Sequence, residues 1–203
     1  MPITFQSLFQ SGNSPRDKFL SRLFGIFSEE IVRCWGQDNQ SPYRNLGRPT
    51  IKPVGRTRGY TLDFAFESKN DGHVYIAEMK CELELGNYRF LTLESPTQLD
   101  HHTKKAFQLF LETAKNANQH TVTIGGKPQL ISGSILVWGR CTKQGRASVI
   151  AKYGFHDILS LEDIIVDLKV WRNKDFTELL CKYQIWSNEL FSGLREMEKA
   201  SES

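Results

Sequence analysis

Asp63, Glu78 and Lys80 have the types and spacing of residues that bind a divalent cation beside a phosphate group. Glu78 and Lys80 are two residues apart in a segment rich in Val, Tyr and Ile, so both should project from the same face of a strand. Asp63 lies in the segment before it. If the two segments pair, two hard carboxylates meet beside an ammonium group, which predicts metal-assisted chemistry on a phosphate ester.

The two segments are predicted to form a β-hairpin. In the first, Leu62, Phe64 and Phe66 alternate with small or polar residues, and this period of two sends the apolar side chains to one face and Asp63 to the other. The sequence Asn-Asp-Gly follows and has the chemistry of a turn. A second run of strand-forming residues ends at Cys81, so we expect Asp63 to meet the charged pair of that strand.

A helix is predicted on each side of the hairpin. The first extends from Asp17 to about Trp35, where apolar residues recur at helical spacing after a Ser-Pro start signal. At about 100° per residue, Glu30 borders the apolar stripe and Glu29 lies nearly opposite its centre, so Glu30 is the better candidate to face the site. The alternative is that Glu30 is an ordinary boundary residue. The second helix is predicted over 95–116.

The order of these elements predicts an α/β fold with a mixed central β-sheet flanked by α-helices. The length of 203 residues fits one domain spanning 1–203, with a core over about 17–155 and a C-terminal helical part over 156–200. The remaining elements are predicted from apolar runs and start signals: a strand around 50–54, strands over 134–139 and 148–155, a helix over 160–168 and a last helix from Asp175.

The composition is that of an ordinary globular protein and gives no sign of a membrane protein. No apolar run approaches the roughly 20 residues that cross a bilayer, and the first residues lack the basic region and apolar stretch of a signal peptide. The four cysteines, at positions 34, 81, 141 and 181, are too scattered for a structural zinc site or a redox motif. We therefore expect a cytoplasmic protein with reduced thiols.

The net charge is only +3, but many basic residues lie in two stretches without acidic residues, 39–62 and 113–156. Such surfaces hold a polyanion through phosphate contacts, which makes nucleic acid the expected partner. The alternative is a set of solvated loops. The candidate contacts to nucleic acid in these stretches are Arg44, Arg48, Lys52, Arg56, Arg58, Arg140, Lys143 and Arg146.

The arrangement resembles the PD-(D/E)XK nuclease superfamily, which has the restriction-endonuclease-like fold. The residues that match its pattern are Asp63 on one strand, Glu78-Met79-Lys80 on the next, and Glu30 or Glu29 on the preceding helix. Gln98, followed four residues later by His102, is a partial match to the Gln-x-x-x-Tyr motif of some members. The match covers roughly 17–140. It departs from the pattern in that no Pro precedes the Asp and His stands where Tyr would.

This resemblance implies a Mg²⁺-dependent endodeoxyribonuclease that hydrolyses DNA phosphodiester bonds, in which Mn²⁺ is expected to replace Mg²⁺. Asp63, Glu78 and the Met79 carbonyl would bind the metal ion. Lys80 would orient the attacking water or compensate the phosphate charge. Restriction or genome defence is the expected setting.

Two further roles follow from the same resemblance. Glu30 would hold a second ion or orient a metal-bound water, and Gln98 would position a phosphate or a water. Three alternatives remain open at this point: a repair or recombination nuclease, a nucleic-acid-binding module that does not cleave, and a protein-interaction domain unrelated to nucleic acid. Retention of the full charged set disfavours the second alternative.

Two other features are interpreted as structural. His101 and His102 are adjacent in the second predicted helix, and adjacent positions do not share a helix face, so we expect no metal site there. The apolar stripe of the last helix, which includes Trp186 and Phe191, is predicted to pack in the core. The alternative is a homodimer surface, which would suit a nuclease that cuts both strands by two-fold symmetry.

Overall fold

The computed structural model describes residues 3–197 of the chain. The helices are α1 (Phe5–Phe9), α2 (Ser14–Gln37), α3 (Leu85–Tyr88), α4 (Lys105–Lys115), α5 (Lys143–Tyr153), α6 (Leu161–Val170) and α7 (Lys174–Glu196). The strands are β1 (Tyr43–Gly47), β2 (Pro49–Pro53), β3 (Tyr60–Thr61), β4 (Phe64–Ser68), β5 (Val74–Lys80), β6 (Thr92–Leu93), β7 (His120–Ile124), β8 (Lys127–Gln129), β9 (Gly133–Trp138), β10 (Arg140–Cys141) and β11 (Asp157–Ser160).

A five-stranded mixed sheet forms the centre of the fold, with strand order β1-β4-β5-β9-β11. β4 runs antiparallel to β1 and to β5, whereas β5, β9 and β11 run parallel to one another. Every residue of β9 is buried, as expected for a parallel strand covered on both faces. The predicted mixed central sheet flanked by helices is therefore confirmed.

Each face of this sheet buries its own apolar core. On one face, α1, α2, α6 and α7 pack over an aromatic cluster that includes Trp35, Phe64 and Phe66. On the other face, α4 and α5 pack over a cluster that includes Ile76 and Phe107. We refer to these as the α2 face and the α4 face. Any residue of the central sheet can therefore be assigned to a side by the core that it joins.

A second, antiparallel sheet with strand order β3-β2-β7-β8 borders the α4 face. Ile51 on β2 and Val122 on β7 are buried in the same core as Phe107 on α4. The sequence predicted one strand around 50–54, but this part of the chain forms both β1 and β2. Much of the first basic stretch consequently lies on a sheet that packs beside α4.

The predicted hairpin is present, but its first strand is shorter than predicted. β4 and β5 pair antiparallel, and the last pair before the chain bends is Phe64 with Ala77. Asp63 lies in a bend between β3 and β4. Leu62 consequently packs in the core of the α4 face, whereas Phe64 packs on the α2 face. The predicted shared face for Leu62 and Phe64 is therefore wrong, because the bend ends the period of two.

The second predicted helix, over 95–116, is interrupted. A 3₁₀ turn covers Pro96–Leu99, and α4 begins only at Lys105. The intervening residues 100–104 are not helical. His101 and His102 lie in this interruption, so the expectation based on helix faces does not apply to them.

Residues 148–155, which were predicted to form a strand, lie mostly in α5. Thr142 caps this helix by accepting a hydrogen bond from the Gly145 N–H, and Gly154 ends it with a φ of 77°, a value that favours glycine. The buried Val149 and Tyr153 are four residues apart, which is a helical spacing. The short apolar run of this segment is compatible with a strand or a helix. The N-terminal and C-terminal caps favour the helix.

The C-terminal part differs from the prediction in two respects. β11 joins the central sheet, so the sheet continues past the predicted core limit of about residue 155. Of the apolar stripe on α7, Phe176 and Leu179 are buried, but Trp186 is 51% exposed and Leu190 is 59% exposed. Core packing was therefore the wrong prediction for the outer half of α7. Residues 198–200 of the predicted helical part lie outside the described residues.

None of the helices in the described part of the chain combines the length and the apolar character needed to cross a bilayer.

Candidate active site

Asp63 and Glu78 meet where the hairpin pairing ends. β4 and β5 are in register at Phe64 and Ala77, so the next pair along the hairpin would be Asp63 and Glu78. Oδ2 of Asp63 accepts a hydrogen bond of 2.9 Å from the Met79 N–H, which holds the carboxylate against β5. The two carboxylates are close enough that Asp63 raises the pKa of the Glu78 carboxyl in addition to the larger effect of burial.

The alternation of β5 places the charged pair on the α4 face. Val74 and Ile76 pack in the core on this face, and Glu78 and Lys80 continue the same period of two. Nζ of Lys80 lies 5.0 Å from the ring centre of Phe107, which belongs to the first turn of α4. The start of α4 therefore overlies the site.

Glu78 and Lys80 form a largely buried ion pair. Oε1 of Glu78 and Nζ of Lys80 are 2.7 Å apart, and Glu78 as a whole is only 8% exposed. Burial and the Asp63 carboxylate both raise the pKa of Glu78, whereas Lys80 lowers it. The Asp63 carboxylate thus disfavours the ionised form of Glu78, and a cation bound between the two carboxylates would offset this repulsion.

One oxygen of Glu78 has no partner. Oε1 accepts from Lys80, but Oε2 is buried and makes no hydrogen bond with any residue among 3–197. A buried carboxylate oxygen without a partner is costly, and such groups in folded proteins call for an explanation. A divalent cation between Glu78 and Asp63 would supply the partner. The donor set therefore fits Mg²⁺, which prefers carboxylate oxygens.

The backbone of Met79 is oriented to contribute to the same site. Its N–H points to the side of β5 on which Asp63 lies. In an extended strand the N–H and the C=O of one residue point to the same edge, so the Met79 carbonyl faces this side as well. Pairing with β4 stops at Ala77, which leaves this carbonyl without a β4 partner. The Met79 carbonyl, the predicted third ligand, thus faces the same side of β5 as Asp63.

Arg48 lies at the edge of the site. One of its guanidinium nitrogens is 3.5 Å from Oδ1 of Asp63, and the side chain is about half exposed. From the sequence, Arg48 was predicted to bind nucleic acid, with no link to the carboxylates. Its position places a half-exposed positive charge where an incoming phosphate would approach Asp63.

Glu30 is not part of this cluster, which corrects its predicted catalytic role. Its carboxylate accepts a hydrogen bond of 2.5 Å from the Tyr183 hydroxyl on α7. α2 packs on the face opposite to Glu78 and Lys80, because the apolar stripe next to Glu30 covers Phe64 and Phe66. Glu29 instead forms an ion pair with Arg33 within α2. Helix geometry separated the two acids correctly, but it did not show which face of the sheet α2 covers.

Gln98 is engaged by the backbone of the 89–95 loop. Its Oε1 accepts from the N–H groups of Glu94 and Ser95 at 2.7 and 2.9 Å, and its Nε2 donates to the carbonyls of Arg89 and Thr92 at 2.7 and 2.8 Å. The residue is 5% exposed. These bonds occupy both donors and the acceptor oxygen, so the structure supports a role in positioning the loop, and the contact to a phosphate or water stays a prediction.

Part of the first basic stretch lies unpaired beside α4. Arg56 and Arg58, together with Lys105, line a cavity of about 370 Å³, and neither arginine has an acidic partner in the described part of the chain. Lys52, on β2, likewise forms no ion pair within 3–197. These residues remain candidates for phosphate contacts.

Other predicted contacts are neutralised by acids that are distant in sequence. Arg44 pairs with Glu67 on the neighbouring strand, with Nε and Oε2 2.7 Å apart. Arg140 and Arg146 pair at 2.9 to 3.5 Å with acids of β11 and α6, namely Asp157, Glu162 and Asp163. Lys143 forms no ion pair with a described residue. The stretch 113–156 contains no acidic residue in its sequence, but acids from β11 and α6 lie beside it in the fold. Its surface is therefore less basic than the sequence predicts.

A cluster of possible metal ligands that was not predicted from the sequence lies beside the site. One ligand atom each of Glu82, His101 and His102 lies within 4.8 Å of the others. Burial lowers the pKa of His102 to about 4, although Glu82 acts in the opposite direction. The cluster was rejected because both histidines were placed in a continuous helix. The position of Glu82, two residues after Lys80, was the signal that could have revealed it.

No protein-family model matches this chain, and no curated protein or solved structure matches it. The function proposed below therefore depends on the geometry of the site and on the resemblance of its residues to the PD-(D/E)XK nuclease pattern.

Proposed function

We propose that the protein is a Mg²⁺-dependent endodeoxyribonuclease with a restriction-endonuclease-like core. The observation that carries the proposal is the buried, unpartnered Oε2 of Glu78 beside Asp63 and Lys80. The order of elements supports it, because α2 precedes β4, β5 carries Glu78-Met79-Lys80 and α4 follows. Restriction or genome defence is the setting we favour, and repair or recombination is the alternative.

In this proposal the position of each residue determines its role. Asp63, Glu78 and the Met79 carbonyl would bind Mg²⁺, which when bound makes a coordinated water more acidic and offsets negative charge on the phosphate. Lys80 would contact a phosphate oxygen or orient the attacking water, since Glu78 already holds its ammonium group in place. Partial burial of both side chains strengthens these charge interactions relative to bulk water.

The start of α4 supports a phosphate contact next to the carboxylates. No side chain caps this helix end, and its first turn contains no acidic residue. The exposed N–H groups and the dipole of a helix N-terminus attract phosphate. Lys104 and Lys105 lie at the same end, and Lys105 shares its cavity with Arg56 and Arg58. A DNA backbone could therefore run from this cavity to Lys80.

A homodimer is part of the same proposal. The outer half of α7 exposes apolar side chains, among them Trp186, Leu190 and Phe191. Pairing of this stripe with a second copy would give a two-fold symmetric dimer that carries two sites. Light scattering of the purified protein should give twice the mass of one chain, and a monomer at micromolar concentration would remove this element of the proposal.

The proposal is tested by incubating supercoiled and linear DNA with the purified protein in Mg²⁺, Mn²⁺ or EDTA. We expect cleavage with either metal and none in EDTA. Asp63→Asn, Glu78→Gln and Lys80→Met should abolish it, whereas Glu67→Gln, a carboxylate change at the surface of β4, should not.

Cleavage that persists in EDTA, or in Asp63→Asn and Glu78→Gln, would refute the assignment. If the wild-type protein binds DNA but does not cut it with any divalent cation, the chain is a non-cleaving module. Nicks, linear plasmid and shortened ends then distinguish the nuclease subclasses.

A further inference from the structure

Glu82, His101 and His102 converge at the end of β5, outside the Asp63 and Glu78 pair. Nε2 of His101 lies 2.8 Å from Oε2 of Glu82, and Nδ1 of His102 lies 3.9 Å from Oε1. The three ligand atoms are within 4.8 Å of one another. Ligands of a single four-coordinate zinc ion, at about 2.0–2.2 Å from the metal, are separated by distances of this order.

The backbone holds the two imidazoles together. Because residues 100–104 interrupt the helix, the rings of His101 and His102 have centroids only 3.8 Å apart. His101 also packs on Phe90, at 4.3 Å, and His102 packs on Phe107, at 4.8 Å. These packing contacts restrict the rotamers of the two histidines, so the backbone and the neighbouring rings hold both imidazoles near Glu82.

His102 has unused binding capacity. It is 8% exposed, its Nε2 is buried without a hydrogen-bond partner among residues 3–197, and its Nδ1 lies 3.9 Å from Oε1 of Glu82. A buried imidazole nitrogen without a partner is costly. Nδ1 takes part in no hydrogen bond with the described residues, so its lone pair is available to a metal ion on the side of Glu82.

We propose that Glu82, His101 and His102 bind a divalent transition-metal ion of the zinc type, at a site separate from that of Mg²⁺. Imidazole nitrogen is a preferred ligand of Zn²⁺, Fe²⁺, Ni²⁺ and Cu²⁺, whereas Mg²⁺ prefers oxygen. Two histidines and one carboxylate leave coordination positions open. Glu82 is 41% exposed at its side chain and His101 32%, so water or a phosphate oxygen can reach these positions.

The surroundings predict moderate affinity and a link to the substrate. The three ligands share a cavity of about 190 Å³ with Lys80 and Lys104, and Glu82 is the only acidic residue that lines it. Two lysines oppose cation binding, so we expect a micromolar Kd. The bound ion would add positive charge next to Lys80, where the proposed nuclease would hold a phosphate. This last role depends on the nuclease proposal, but metal binding does not.

The test is a titration of the metal-free, full-length protein with Co²⁺, followed by visible absorption, in the presence of millimolar Mg²⁺. We expect one Co²⁺ per chain, displaced by Zn²⁺, without the near-ultraviolet band of a cobalt–thiolate bond. His101→Ala and Glu82→Gln should each weaken Co²⁺ at least about tenfold. Both residues are partly exposed, so these variants should fold, and circular dichroism and thermal melting check this.

Two matched variants serve as controls. His73 and Asp71 form an exposed pair with Nδ1 and Oδ2 3.3 Å apart, so His73→Ala removes a comparable histidine–carboxylate contact and should leave Co²⁺ binding unchanged. Glu78→Gln should abolish cleavage with Mg²⁺ and retain Co²⁺ binding.

Four results would overturn the site. They are the absence of stoichiometric Co²⁺ and Zn²⁺ binding, unchanged affinity in both His101→Ala and Glu82→Gln, loss of Co²⁺ binding in Glu78→Gln, and a thiolate band, which would assign the ion to a cysteine. If only the nuclease proposal is wrong, the protein will bind Co²⁺ as expected but will not cut DNA.

Discussion

The two faces of the central sheet differ in chemistry, although each is covered by helices and each buries an apolar core. The α2 face is closed by α1, α2, α6 and α7, and its one buried acid on α2, Asp17, is satisfied by Ser11 and Arg16. The α4 face carries Glu78 and Lys80, and one oxygen of Glu78 is left without a partner. The same strand, β5, contributes alternate residues to both faces.

The two faces differ because strand pairing with β4 and packing by α4 both stop near the end of β5. β4 begins only at Phe64 and α4 begins only at Lys105, so the end of β5 has neither a neighbouring strand on one side nor a continuous helix above it. Polar groups that would be expelled from a closed core can remain in such a gap, provided that they are paired. The charged side chains of the candidate site can lie there because the fold leaves room for them.

The sharpest test of this comparison exchanges one carboxylate for an amide on each face. Glu78→Gln should lower Mg²⁺-dependent DNA cleavage by about 10³-fold or more, because a metal contributes several kcal/mol and each 1.4 kcal/mol is about tenfold. Glu30→Gln, on the α2 face, should change the rate by less than about threefold. Single-turnover cleavage rates measure both, and equal losses would return Glu30 to the site.

A second test compares two pairs of arginines. Arg56→Ala with Arg58→Ala should weaken DNA binding about tenfold or more and lower the salt slope of log K by about 2, since each phosphate contact contributes about 0.9 on duplex DNA. Arg140→Ala with Arg146→Ala should leave DNA affinity within about twofold, because acids of β11 and α6 already neutralise these residues. Fluorescence anisotropy in EDTA measures the affinities. The opposite ranking would contradict the assignment of the DNA surface to the α4 side.

Gln98 provides a third test, which separates positioning of a loop from catalysis. Gln98→Ala removes four partly buried hydrogen bonds to the backbone of the 89–95 loop, so we expect a loss of roughly 2–4 kcal/mol in the free energy of unfolding. For a chain of this size that lowers Tm by several degrees. Well below Tm, the cleavage rate should change little. A large loss of rate with an unchanged Tm would support the catalytic role instead.

The smallest expected effect is a pH dependence of Mg²⁺ affinity. Burial and Asp63 raise the pKa of Glu78, so this carboxyl keeps its proton to a higher pH than an exposed glutamate does. A protonated carboxyl does not bind Mg²⁺, and affinity should therefore rise with pH through the raised pKa and then level off. Isothermal titration between pH 5 and about 8 measures this. In Glu78→Gln the rise should disappear, whereas a pH-independent wild-type affinity would contradict the shift.

Local patterns were sufficient to predict the elements that meet at the site. The period of two in β5 placed Glu78 and Lys80 on one face, and the turn after β4 brought Asp63 next to them. The buried strand at 134–139 and the helix that Ser160 caps were predicted within about two residues of their observed bounds. These features depend on neighbours in the chain, which a sequence displays directly.

Features that depend on distant neighbours were not predictable. No local signal shows that Tyr183 would meet Glu30, or that acids after residue 156 would neutralise Arg140 and Arg146. The interruption at residues 100–104 was hidden because Pro96 and the apolar residues on both sides of it have helical spacing. Most errors therefore concern which elements pack together. The exception is α5, whose residues 148–153 were predicted as part of a strand.

β11 has a practical consequence for shortened versions of the chain. It pairs with β9, whose six residues are all buried. Cutting the protein near residue 156 would turn β9 into an apolar sheet edge with unpaired N–H and C=O groups, which is a template for aggregation. The smallest fragment worth expressing should therefore extend at least through Ser160 and α6, even if only the residues up to Lys105 touch the substrate.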